Sequence, residues 1–154
     1  MAWSRCLATY NSKLIEMRAS REIATKKWTS EARRTYFVDL MKFRESSEHW
    51  FKISELSNGK RSKVFLGLED ATAFQKNLTG CKGFMMEQEL KLLAQHKLSF
   101  NHENDRVVID RVDGESGRRY KFIVDATSVI KVQSAIDELM AQVGALKYES
   151  VSTE

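Results

Sequence analysis

Proline is absent from this 154-residue chain, and cysteine occurs only twice. Without proline there is no rigid spacer, so regular elements joined by tight polar turns are expected rather than a linker. No apolar run is long enough to span a bilayer. Cys6 and Cys81 fit no metal-ligand spacing. In a domain of this size they read as reduced thiols rather than a disulfide, which favours a nuclear or cytoplasmic setting. A glycine-rich phosphate loop and a nucleophile elbow are both missing. The opening "MAWSRCLATYNSKLIEMRAS" lacks a secretory apolar core. Its Arg5, Lys13 and Arg18 against the single Glu16 have the composition of an organellar transit peptide, with a short helix or disordered arm as the alternative.

What is present is an ordinary globular composition, 42% hydrophobic and 30% charged, in a length that suits one domain or two small units sharing a core. A net charge of +4 inclines the chain toward polyanionic partners. "REIATKKW" is short, basic and loosely alternating, as an edge strand is. "RRTYFVDLMKF" places Tyr36, Val38 and Leu40 on one face and Phe37, Asp39 and Met41 on the other. "RESSE" is a polar turn. "HWFKISEL" follows, closed by "SNGK", in which Asn58-Gly59 is a hairpin signal. "RSKVFLGL" alternates again, with Val64, Leu66 and Leu68 opposite Lys63 and Phe65. The period then changes: Ala71, Phe74 and Leu78 stand at helical spacing, with Gly80 as the stop.

The second half repeats this plan. The segment between Gly83 and Phe100 fits a helix or one or two strands. "DRVVIDRV" and "RRYKFIVDA" read as strands around the turn "DGESG". The final helix aligns Val129, Val132, Ile136, Leu139, Val143 and Leu146, with Thr127 or Ser128 as N-cap. The chain therefore divides into an arm (1–20), a first unit (21–82), a second unit (83–148) and a tail (149–154). Neither unit alone buries much apolar surface, so an intertwined α+β globule with merged cores is expected. The other face of each sheet is left for water or a ligand.

On the first sheet that open face is expected to carry Phe37, Trp50 and Phe65 interleaved with Lys52 and Lys63, and Lys26, Lys42 and Arg44 near its rim. Cations neutralise phosphates and flat rings stack on unpaired bases, so this combination points to single-stranded nucleic acid. Aromatic residues on both faces also fit a doubly covered sheet or a protein interface.

The run "EIATKKW…RRTYFVDL…HWFKISEL…KRSKVFLGLEDATAFQKNL" resembles a repeat of the PUR family, the purine-rich element binding proteins. The match spans Arg21 to Gly80; the second half agrees in plan more than in residues. The resemblance implies two intertwined repeats, each a four-stranded antiparallel sheet followed by one helix. It also implies non-catalytic binding of single-stranded DNA or RNA, and a possible homodimer. Site positions carried over from the family are Thr25 and Lys26 in the first strand, Lys42 and Arg44 around the second turn, Trp50 as the stacking ring and Lys63 opening the fourth strand. The turn "KFRESSEH" is longer than the family's and lacks its asparagine and glycine. The equivalent turn of the second half, "NHEND", is acidic and has no stacking ring nearby.

Chemistry finds little support. His96 and His102 with Glu103 lack a third ligand nearby and read as surface or turn residues. Glu87 and Glu89 read as a solvated face, and Met85 and Met86 as core packing. No enzyme activity, metal, cofactor or membrane partner is expected. A protein-interaction module using the same aromatic face is the alternative from another class. A sheet-based single-strand binder of the organellar Whirly type is a third, though its lysine-glycine-lysine signature is absent.

Overall fold

The computed structural model describes residues 20–44, 46–80, 91, 93, 96–113 and 115–152. Four strands open the described chain: β1 (Arg21–Thr29), β2 (Thr35–Lys42), β3 (His49–Ser57) and β4 (Lys60–Gly67). They pair antiparallel in that order into one sheet. Helix α1 (Leu68–Thr79) follows directly. Three more strands, β5 (Leu98–His102), β6 (Arg106–Val112) and β7 (Arg119–Asp125), form a second antiparallel sheet, and α2 (Ala126–Ser152) ends the fold. The architecture is thus α+β, with two antiparallel sheets and two helices among the described residues. No described helix is long and apolar enough to cross a membrane.

The turns form where local chemistry demands them. Asn58 and Gly59 both take positive φ, 52° and 75°, the requirement of a two-residue hairpin whose twist matches its strands. Gly80 closes α1 in the left-handed region, φ 79°, and its N–H donates back to the Asn77 carbonyl.

Strand alternation places Tyr36, Val38, Leu40, Phe51, Ile53, Val64 and Leu66 on the inner face, all essentially fully buried. They share one continuous cluster with Ala71, Phe74 and Leu78 of α1, Ile109, Phe122 and Val124 of the second sheet, and Val132, Ile136 and Leu139 of α2. Neither unit owns this core. Phe74 of α1 meets Phe100 of β5 edge-on at 5.5 Å, so the first helix packs on the second sheet as well. Merging lets two small sheets bury what neither could bury alone.

The free edge of β7 lies against the inner face of the first sheet, where side chains take the place of a neighbouring strand. The Ser62 hydroxyl donates to the Lys121 carbonyl at 2.8 Å, and the Tyr36 hydroxyl donates to the Ile123 carbonyl at 2.9 Å. The Asp125 N–H donates to the same Tyr36 oxygen at 3.0 Å. Beside them Arg34 is held between Asp125 and Glu55. Burial pushes the Glu55 carboxyl up, opposed by the Ile123 N–H and by Arg34.

Several expectations change. The second sheet has three strands among the described residues, not four, and Lys91 and Leu93 preceding it are helical. Helix α2 begins at Ala126, so Thr127 and Ser128 lie inside its first turn and do not cap it. Ser128 is instead buried, because its hydroxyl accepts the Trp28 indole N–H at 3.1 Å. The same helix runs on to Ser152, through most of the segment expected as a tail. His96 and His102 lie at the surface as expected: His96, in a turn, pairs with Asp70 at 2.9 Å, and His102 meets the Asn77 carbonyl at 2.7 Å. Cys6, Cys81, Met85, Met86, Glu87 and Glu89, with the arm before Ser20, fall outside the described residues.

Candidate nucleic-acid interface

Residues paired across neighbouring strands share a face. Register therefore sorts the outer surface of the first sheet into four rows. At the hairpin end stand Thr29, Thr35, Leu56 and Arg61; next come Lys27, Phe37, Ser54 and Lys63. Thr25, Asp39, Lys52 and Phe65 form the third row, and Glu22, Met41, Trp50 and Gly67 the fourth. None of these residues belongs to the large core, which lies with both helices on the opposite face.

Phe37, Trp50, Phe65, Lys52 and Lys63 thus share the outer face, but they form two unlike regions. Around Trp50 the surface is closed. The indole is only 3% exposed and packs with Met41, Phe43 and Phe65, its centroid 6.3 Å from Phe43 and 5.7 Å from Phe65. Its N–H donates to the Ser20 hydroxyl at 3.0 Å. Trp50 therefore anchors a satellite core and does not offer a free ring to a base. A tryptophan beside Met41 and Phe43 loses more water-exposed apolar area by packing inward than by standing clear.

Around Phe37 the surface is open and basic. The ring is half-buried, with Lys27 Nζ 5.4 Å and Arg61 Cζ 5.1 Å from its centroid. Lys63 is exposed in the same row and makes no ion pair among the described residues. Lys52 stands 3.8 Å from the Asp39 carboxylate, which also accepts the Thr25 hydroxyl at 2.8 Å. Burial raises the Asp39 carboxyl above its ordinary range, while Thr25 and Lys52 pull it back. Thr25 itself is exposed, and its hydroxyl also lies against the Glu22 carboxylate, so its single proton serves one of the two acids.

The remaining expected residues lie elsewhere. Lys26 shares its side of the sheet with Val38, the inner face, and its ammonium pairs with Glu138 of α2 at 2.8 Å. It lines a groove of about 240 Å³ between β1 and α2, with Trp28, Ile130 and Lys131. The loose alternation of β1 hid this, because the register shifts between Glu22 and Ala24 and so resets which residues face out. Lys42 ends β2 on the inner side as well, and Arg44 is exposed in the following turn. Lys27 and Arg61, absent from the expected set, join the outer face in their place. Arg61 was legible, since it alternates with Lys63 and Phe65 along β4.

The outer face of the second sheet, with rows Ser99, Asp110, Lys121 and Asn101, Val108, Ile123, carries no aromatic ring among the described residues. Phe100, Tyr120 and Phe122 all fall on its other side. No protein-family model matches the chain, and no curated protein matches it.

Proposed function

We propose that the protein binds single-stranded nucleic acid, without catalysis, on the outer face of its first sheet. The observation that carries this reading is the row in which the exposed Lys27 and Lys63 flank the half-buried Phe37 and the buried Ser54, with Arg61 and Lys52 on either side. Such a surface meets both demands of an unpaired strand. Lys27, Lys52, Arg61 and Lys63 neutralise phosphates, and Phe37, with Phe65 beyond it, provides ring area for bases. A base settling on Phe37 displaces a cation already over the ring, and that cation then meets the backbone phosphate. Trp50, Met41 and Phe43 stiffen the neighbouring end of the sheet, and Arg44 extends its basic rim. In this reading the two sheet-and-helix units are diverged PUR-like repeats, the second with a reduced sheet.

The test is fluorescence anisotropy of a labelled purine-rich single strand and of its duplex, at two salt concentrations, with wild-type and Phe37→Ala proteins. The wild type binds the single strand more tightly than the duplex, and less tightly in high salt. Phe37→Ala weakens binding by about 1–3 kcal/mol, the worth of one stacked base. Failure of the wild type to bind at low salt refutes the proposal.

A further inference from the structure

Ser54 lies at the middle of the outer face, in register with Phe37 on one side and Lys63 on the other. Along β3 its same-face neighbours are Lys52 and Leu56. A short side chain among four long ones lies beneath them, and they close over its hydroxyl. That residue is only 1% exposed, and its Oγ has no hydrogen-bond partner among the described residues. Buried hydroxyls are normally satisfied, because an unmade hydrogen bond away from water is costly. Thr25, on the same face, shows the usual solution by bonding Asp39.

We infer that Ser54 is the floor of a pocket for one unpaired base, which lies flat on Phe37 and turns its polar edge to the serine hydroxyl. This rests on the nucleic-acid reading and adds to it a residue that reads the base rather than the backbone. Cross-strand partners on one face have Cβ atoms roughly 4.5–5.5 Å apart, so a base stacked on Phe37 brings its edge over Ser54. Lys27 and Arg61 cover the ring in the unbound protein, but an exposed cation over a phenylalanine is held weakly and is easily displaced. Their departure frees the ring for the base and brings two cations to the phosphates flanking the bound nucleotide, while the flexible Lys52 and Lys63 side chains beside Ser54 swing toward the same phosphates. A hydroxyl both donates and accepts, so it favours an edge that answers it over one that does not.

The experiment compares wild-type and Ser54→Ala proteins against single strands of oligo-dA, oligo-dC and oligo-dT and against an abasic strand of equal length. Thermal unfolding is followed in parallel. The wild type prefers one base-bearing strand and binds the abasic strand least. Ser54→Ala leaves abasic binding unchanged and loses roughly 2- to 10-fold of the base preference, the fold-change of one hydrogen bond. Its melting temperature equals or exceeds that of the wild type, because the hydroxyl it removes has no partner to lose. Retained base preference in Ser54→Ala, equal wild-type binding of the three base-bearing strands, or a less stable Ser54→Ala protein each overturns the pocket while leaving the nucleic-acid reading intact. A wild type that binds none of the strands overturns both.

Discussion

The Tyr36 hydroxyl lies 3.0 Å from the backbone nitrogen of Asp125 and accepts its N–H, although the two residues are 89 positions apart. The same hydroxyl has the Ile123 carbonyl at 2.9 Å and the Asp125 carboxylate at 3.2 Å, and its single proton serves one of them. Trp28 stacks on the tyrosine at 5.5 Å and sends its own N–H to Ser128. A pair of rings from the first sheet thus carries polar tips into the end of β7 and the start of α2. Burial, aided by the nearby Asp125 and Glu55 carboxylates, pushes the phenol far above its usual range.

Tyr36→Phe tests that joint. It keeps the ring and removes the oxygen, leaving the Asp125 N–H buried without its acceptor. The expected loss of stability is about 1–3 kcal/mol, measured by urea denaturation. Affinity for a single strand stays unchanged, because Tyr36 points away from the outer face.

Trp50→Ala and Phe37→Ala separate the two regions of that face. Truncating the buried Trp50 opens a cavity and costs about 3–5 kcal/mol of stability. Phe37→Ala costs less stability and more binding. Denaturation curves and anisotropy titrations on both variants check the crossover; a Trp50→Ala protein of normal stability contradicts the closed cluster.

Asp39 gives a pH dependence of unusual sign for a carboxylate. Its folded pKa is raised above the ordinary 3.8, mainly by burial, so the folded state holds the proton more tightly than the unfolded chain does. The resulting stabilisation is fully present below 3.8 and is lost as pH rises to the raised folded value. Asp39→Asn removes this, and its stability relative to the wild type therefore improves as pH climbs through that window. Thermal melts of both proteins at several pH values measure it. A difference that instead moves against the variant with rising pH sinks the assignment.

Lys63→Ala addresses the backbone contacts. Lys63 is exposed and has no ion partner among the described residues, so the fold tolerates its loss. Binding weakens for every single-stranded sequence alike, and the slope of log affinity against log salt becomes shallower by about 0.7, one single-strand phosphate contact. Titrations of two unrelated strands over a salt series are sufficient.

Most of the fold was legible because its signals are local. The alternation of Tyr36, Val38 and Leu40 with Phe37, Asp39 and Met41, the Asn58-Gly59 turn, and the stop at Gly80 each rest on neighbours in the chain. Phe37, Trp50, Phe65, Lys52 and Lys63 could be assigned to one face for the same reason, since period-two alternation fixes faces within a strand. The phase of β1 could not be read past the shift between Glu22 and Ala24, and this misplaced Lys26 and concealed Lys27. The two rings of greatest interest exchanged roles because alternation says which way a side chain points, not what closes over it.

The chain's own order of residues determines the strands, the helices, the faces and the basic, aromatic character of one surface, because backbone propensity and periodic burial act over a few residues. Only the tertiary structure decides which parts of that surface remain open. Trp50 is closed by Met41, Phe43 and Ser20; Lys26 is drawn to Glu138 of a distant helix; the edge of β7 is satisfied by Tyr36 and Ser62 rather than by a strand. Each of these depends on contacts between different strands or helices rather than within one. For Lys26 and the β7 edge, the free energy comes from burial and hydrogen bonding that exist only once both sheets share one core; for Trp50 it comes from packing across the outer face of the first sheet.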